Sequence, residues 1–445
     1  MSRRNFILFI IALILILFVI FVFFYSQKGD TGPTNNEGGT NFFSRFNPFS
    51  KTPDATPKDT PPVDISGEVP DDTNIDMSVI KLRKISSMPV AGFGLFLKER
   101  LKDMPVPPAG ESAATDTTSN TTQTTKPTPP PTELASATRY VARATGNIYQ
   151  TFLDKIEERK FSTTIIPKVY EAIFVNKNTS VLMRYLKTNN NTIETFLGNI
   201  PKEVLGADTE NNEIKGVFLS DGITDVSMSP DTTKLFYLLN VGDNTIGTIL
   251  NIVDGKKTQV FDSPFNEWLS VWPNANLITL TTKPSANAQG HMYALNTTNK
   301  SFVRAVGDIY GLTTQTSPDG KFVLYGDSSL AVSIFDMTKK TSTLIGVRTL
   351  PEKCAWSGST IVYCAVPTSP SPAQYPDSWY QGEVSFTDQI WKINIVSGLT
   401  EMLINPSTTK GGEDIDGIKL SVDAEGEYLL FVNKKDSFLW ELNLN

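Results

Sequence analysis

Among its 445 residues the chain holds one histidine, His291, and two cysteines, Cys354 and Cys364. That scarcity removes most metal centres and most nucleophile–base pairs. Structural zinc takes about four Cys or His ligands, and any Ser-His-Asp triad would have to use His291. A phosphate-cradling Gly-x-x-x-x-Gly-Lys loop, a His-Glu-x-x-His pair and a Gly-x-Ser-x-Gly elbow are all missing from the sequence. Nor is there an excess of positive charge: 40 Lys and Arg stand against 47 Asp and Glu, a net charge of −7. Nucleic acid is therefore excluded as the main partner, because phosphate binding needs a basic footprint. Charged residues make up only 20% and apolar residues 40%, enough for a large core. No catalytic residue, cofactor or metal site is expected.

Residues Phe6 to Tyr25 form an apolar run of 20 residues without a charge or a helix breaker. As a helix that run is roughly 30 Å long, the thickness of a bilayer core. Arg3 and Arg4 precede it, and the positive-inside rule keeps them in the cytoplasm and sends the rest of the chain across the membrane. The run ends in Val22-Phe23-Phe24-Tyr25 rather than in a small-x-small site, so the expectation is an uncleaved signal anchor in the cytoplasmic membrane, not a signal peptide. Residues 1–27 are read as cytoplasmic N-terminus and transmembrane helix. Residues 28–79, rich in Gly, Pro, Asn and Thr, are read as a disordered stalk. A second Thr/Pro-rich stretch, at about 102–137, is read as a disordered insertion.

After Pro131 the pattern changes to short β-type runs. Leu235 to Leu239, Phe322 to Tyr325 and Tyr428 to Val432 are examples, and each follows a polar turn. Proline presets φ at the first turn position, and Asp, Asn or Gly suits the next. Equivalent turns at positions 175, 229, 272, 317, 356 and 421 recur at intervals of 54, 43, 45, 39 and 65 residues; a period near 40 to 45 with two longer intervals is that of a four-stranded propeller blade with insertions. Ser317-Pro318-Asp319-Gly320-Lys321-Phe322 and Ser229-Pro230-Asp231, each followed by a strand, resemble the WD-like repeats of TolB-type β-propellers. The chain as a whole resembles single-pass membrane propeller proteins of reduced-genome bacteria, a likeness that implies no activity.

The last repeat is one strand short, which would leave an open sheet edge. Ile80 to Ser86 supplies the missing fourth strand, and Val90 to Phe96 starts a blade that resumes at Arg139. The rival reading makes Leu95 to Leu101 helical. The fold expected is all-β, a seven-bladed β-propeller over 80–445, with six or eight blades as alternatives.

Candidate binding residues lie in a long Pro-rich insertion at 367–388. Tyr375, Trp379 and Tyr380 are aromatics outside the strand pattern, beside Asp377 and Glu383. Aromatics on a rigid scaffold can anchor a protein or a sugar ring; the alternative is local packing. Asp377, Glu383 and Asp388 could instead supply the paired acids of a glycoside hydrolase. The acidic turns at 413–417 and 423–427 gather oxygen ligands without completing a calcium loop. Cys354 and Cys364 flank the turn Ser357 to Thr360 and would face each other in a hairpin, within disulfide reach. Trp268 and Trp272 are expected to pack between blades. The function expected is binding or scaffolding, of an envelope protein or surface polysaccharide, on the outer side of the membrane, with a carbohydrate-active enzyme as the alternative.

Overall fold

The computed structural model describes residues 81–102, 131–188, 192–203 and 212–445. The expected anchor and stalk lie outside the described residues. Among those described, no helix is long and apolar enough to cross a membrane.

Among the described residues, twenty-eight strands form seven four-stranded antiparallel sheets. Blade 1 is β2 (Val90–Leu101), β3 (Thr132–Ala142), β4 (Ile148–Phe152) and β5 (Glu158–Lys160). Blade 2 is β6 (Val169–Val175), β7 (Ser180–Leu186), β8 (Ile193–Asn199) and β9 (Lys215–Phe218). Blade 3 is β10 (Ile223–Met228) to β13 (Lys257–Ser263), blade 4 is β14 (Trp268–Asn274) to β17 (Phe302–Tyr310), and blade 5 is β18 (Thr313–Thr316) to β21 (Thr341–Arg348). Blade 6 comprises β22 (Cys354–Ser357), β23 (Ile361–Pro367), β24 (Asp388–Asn394) and β25 (Thr400–Ile404). Blade 7 takes β26 (Gly417–Val422), β27 (Tyr428–Asn433) and β28 (Leu439–Asn443), and its fourth strand is β1 (Leu82–Lys84).

The first strands form the inner ring: β2 meets β6, β10 meets β14, β14 meets β18 and β22 meets β26, while β18 meets the 3-10 turn that leads into β22 and β10 meets β8; β2 against β26 completes the circle. The antiparallel order then sorts the connections. Turns between first and second strands lie at one end of the ring, and loops between second and third strands lie at the other. We call these the turn end and the loop end.

The turns follow from their residues. In Ser317-Pro318-Asp319-Gly320, Asp319 Oδ1 accepts from Ser317 Oγ at 2.7 Å and from the Lys321 amide at 3.1 Å. Gly320 has φ +73°, which favours glycine. Gly92 serves close approach instead: a Cβ there would stand 1.9 Å from the Ala172 carbonyl oxygen, where β2 passes β6.

Each blade alternates apolar side chains towards its two neighbours, so the core is not one mass. It is distributed as a separate apolar cluster at every blade junction. Leu238, Trp268, Trp272 and Leu280 join blades 3 and 4, for example, and Leu324, Val362 and Ile393 join blades 5 and 6. Trp268 and Trp272 thus pack between blades, and Leu95 to Leu101 is strand rather than helix.

β1 closes the ring. Leu82 pairs with Leu442 and Lys84 with Trp440. Arg83 makes a two-pronged contact with Glu441, both bonds 3.0 Å, and also donates to the carbonyls of Leu153 and Lys155 in blade 1. The expected insertion at 102–137 is shorter than its composition suggested. β3 already begins at Thr132, and Lys102 N donates to Pro131 O at 3.0 Å. Backbone pairing with β2 holds 132–137, Thr-Glu-Leu-Ala-Ser-Ala, as strand.

Leu82 is 4% exposed within the blade 6/7 cluster. Leu82→Ala should cost about 2–4 kcal/mol. Hydrogen exchange should speed up first at 439–443, where β28 would lose its partner; uniform acceleration over all blades would contradict closure by this strand.

Candidate functional site

The two ends of the ring differ. At the loop end the 367–388 insertion folds across the inner ring. Cis Tyr375-Pro376 leads into a single helical turn, Asp377–Tyr380. Asp377 Oδ2 accepts from the Ala286 amide in blade 4 at 2.5 Å, and Gln374 bonds Asn287 at 3.1 Å. In blade 7, Lys434 lies 4.1 Å from the Trp379 ring centroid and donates to the Trp379 carbonyl.

The aromatics expected to be binding anchors are largely spent on this packing. Tyr375 and Trp379 are each 4% exposed and share a cluster with Leu330, Leu350 and Phe386. For these two the structure shows the alternative arrangement, local packing. Their partners are distant in sequence, so burial gains more than display would. Tyr380 is partly exposed, and its hydroxyl turns inward to the Glu352 carboxyl, beside Leu269, Val271 and Thr313 of the inner ring. Glu383 is exposed.

The three acids considered as a hydrolase pair have different fates. Asp377 caps a backbone amide, Glu383 faces solvent, and Asp388 is fully buried on Lys353. Asp388 therefore lies out of reach of a sugar. The 413–417 turn is likewise not a cation loop: Asp416 is fully buried and accepts from Lys353, Trp379 Nε1, Ser385 Oγ and the Phe386 amide. No group of three or more His, Cys, Asp or Glu among the described residues could hold a metal ion. His291 sits half-buried on β16 (Gln289–Asn296), where Nδ1 accepts from the Asp308 amide at 3.3 Å. Cys354 and Cys364 are directly paired on β22 and β23 and joined as a disulfide, Cα atoms 4.1 Å apart.

The turn end is open. A pocket of about 590 Å³ lies between the first strands of blades 1, 2 and 7 and the first turn of blade 3. Its lining includes Phe93, Leu95, Leu97, Ser136, Asn178 and Glu425. Composition could not show this site, because its residues come from four blades.

One wall is a two-stranded ribbon. β2 and β3 stay paired to Leu101 and Thr132, beyond the last β3–β4 pair at Ala137 and Phe152. Direct pairing puts Leu97, Glu99, Leu101, Thr132, Leu134 and Ser136 on one face. Leu97 is 45% exposed, Leu101 43% and Leu134 69%. On the other face Arg100 is paired with Glu133 and Asp154, and Lys98 with Glu203.

The leucine face looks towards the blade 7 turn, because Ser136 Oγ donates to Asp423 at 2.9 Å and to Glu425 at 3.3 Å. A second pocket of about 450 Å³ continues the first outward; Leu97, Leu134, Glu425 and Glu427 line it together with Arg100, whose charge is met by Glu133 and Asp154 of the same lining. Along this groove Glu99, Asp423, Glu425 and Glu427 have no ion pair with any cation among the described residues, whereas the acids behind the ribbon do. The groove is therefore apolar and negative. The signal in the sequence was the alternation Leu95, Leu97, Leu101, without the pairing that gives it a face.

At the closed end, Glu352 keeps some exposure as a residue, but its Oε1 is shielded and unpartnered. Burial pushes its carboxyl up to about 7 from 4.5. A raised carboxyl opposes folding once ionised, so this contribution to stability is full below the unfolded value and is lost as pH rises to about 7. Glu352→Gln should be more stable than wild type at pH 8 by about 1–3 kcal/mol, and close to it at pH 4.5. Paired urea titrations at the two pH values measure this; an equal difference at both would refute it.

No family model and no curated protein matches the chain. Solved propellers align with it only loosely. An oligogalacturonate lyase from Vibrio parahaemolyticus aligns at TM-score 0.45 and 11% identity, over 70% of this chain and 86% of that one. TolB from Acinetobacter baumannii aligns at 0.38 and 12%, over 58% of this chain and 59% of that one. A puromycin-hydrolysing peptidase of Mycobacterium tuberculosis aligns at 0.42 and 11%, over 67% of this chain and 49% of that one.

Proposed function

We propose that this protein is a membrane-tethered binding module. Residues 6–25 anchor it in the cytoplasmic membrane, the propeller lies outside, and a partner protein docks in the groove at the turn end. The observation that carries this reading is the overhanging ribbon. Three exposed leucines share one face with Glu99 and look towards Asp423, Glu425 and Glu427 of the blade 7 turn, and none of these acids pairs with a cation among the described residues. An apolar face of this kind marks an interaction surface on a folded domain.

The chemistry of the groove selects the partner. Charge complementarity calls for Lys or Arg, and the leucines call for apolar side chains. The outer edge of β3 at 132–135 has no strand partner among the described residues, and such an edge accepts an added strand. The occupant is thus a basic, apolar segment of a partner protein bound in extended form, with alternate residues facing the groove. A neutral surface polysaccharide would leave the acids unpaired.

A fluorescent peptide of alternating lysine and leucine, titrated against the purified full-length protein in nanodiscs, tests the groove. Anisotropy should report binding that weakens as salt is raised. Leu97→Asp combined with Leu134→Asp should weaken it at least about tenfold, each lost apolar contact costing about 1 kcal/mol or more. Equal binding of a glutamate–leucine peptide, or indifference to the double variant, would overturn the proposal.

The anchor has its own test. Wild type should remain with membranes through a carbonate wash, and deletion of 6–25 should release it. Release of the wild type would refute anchoring.

A further inference from the structure

Beneath the insertion lies a lysine that neither the ring nor the groove accounts for. Lys353 closes the short 3-10 turn Pro351–Lys353 that leads into β22, and its side chain has no solvent exposure. Its Nζ is 2.8 Å from Asp388 Oδ2 and in direct contact with Asp416 Oδ1. Both carboxylates are also completely shielded. The rings of Trp379 and Phe386 cover the ammonium, their centroids 5.2 and 5.0 Å away. If all three groups were ionised, they would bury a net negative charge in a dry, aromatic-walled space, an arrangement that costs several kcal/mol.

The two carboxyls are not equivalent. Asp416 accepts from Trp379 Nε1 at 2.9 Å, Ser385 Oγ at 3.1 Å and the Phe386 amide at 3.0 Å. Burial pushes Asp416 up, but the Lys353 charge and these donors outweigh it and hold the group below its usual value. It is kept as an anion. Asp388 accepts only from Lys353 and, at 2.7 Å, from the Gly417 amide, both on Oδ2; its Oδ1 is buried without a partner. Burial and the neighbouring Asp416 charge push Asp388 up, towards the neutral acid.

We propose that Lys353 and Asp388 condense spontaneously to an intramolecular isopeptide bond, with Asp416 as the proton carrier. The Lys353 ammonium passes one proton to Asp388, leaving a neutral amine beside a neutral acid. The Nζ lone pair attacks Asp388 Cγ, and the Gly417 N–H stabilises the charge that develops on Oδ2. The proton shed by nitrogen passes through Asp416 to the departing Oδ1 hydroxyl. The C–O bond breaks, one C–N amide bond forms and one water leaves. No oxidant, reductant or cofactor takes part, and Asp416 ends as the carboxylate it began as. Trp379 and Phe386 exclude the water that would otherwise keep the pair ionised. The product ties the start of blade 6's inner strand to the start of its third strand, under the insertion that closes the loop end.

Intact mass spectrometry of the purified, reduced full-length protein is the deciding measurement. The expected mass is one water below that of the sequence, and a digest should yield the Lys353 peptide joined to the Asp388 peptide. Asp416→Asn and Lys353→Met should each restore the full mass. Asp388→Asn should still form the same amide, now with loss of ammonia, whereas Asp388→Ala should not. A wild-type mass equal to the sequence, or a link from Lys353 to Asp416, overturns the proposal, and the wild-type reading stands even if a variant fails to fold.

Discussion

The structure depends on closing a ring. A propeller blade has two apolar faces and can bury each of them only against a neighbour. Every junction here has its own cluster, as in Ala91, Val141 and Phe174 between blades 1 and 2, or Leu430, Val432 and Tyr140 between blades 7 and 1. One missing junction would expose two such faces together. β1 prevents this with three residues paired to β28, and Arg83 locks the joint by reaching into blade 1 while holding Glu441. The joint brings residues 358 positions apart in sequence into contact. Its cost is therefore the entropy of bringing distant chain segments together, offset by burial on both sides of blade 7.

Closure leaves the two ends free to specialise. At the loop end one insertion crosses from blade 6 to blades 4 and 7 and fills the inner ring with Tyr380, Trp379 and Phe386. Polar groups trapped beneath it must find partners or change protonation. Glu352 is pushed towards neutrality, and Lys353 sits between two carboxyls. At the turn end nothing comparable covers the ring among the described residues. There the extension of β2 and β3 raises a wall instead, and the wall directs leucines inward over an acidic turn. The same chain thus spends aromatic residues on sealing one mouth and leaves aliphatic ones exposed at the other. The proposed docking site lies at the end where apolar side chains remain exposed.

Much of the architecture was legible in the sequence. The blade period follows from turns that encode themselves locally: Ser317, Asp319 and Gly320 build their turn from contacts within five residues. The need for a closing strand could also be read, because a sheet of three strands with an apolar face implies a fourth, and Leu82 stood in the right pattern. The cysteine pairing was accessible for the same reason, since a hairpin places Cys354 opposite Cys364.

What the sequence alone could not decide was which side chains remain exposed. Tyr375 and Trp379 lie in a proline-rich stretch that reads as a displayed loop, yet partners at 286, 330, 416 and 434 draw it down onto the ring. Leu97 lies just past the expected strand Val90 to Phe96, and Leu134 lies in the stretch read as a disordered insertion, yet β2 and β3 pair there and carry both leucines past the last neighbour able to cover them. The turn chemistry and blade count rest on contacts between residues close in the chain, and those are written in local pattern. Burial at the two mouths, the groove and the Lys353 pocket rest on contacts between blades, and only the closed ring brings those residues together.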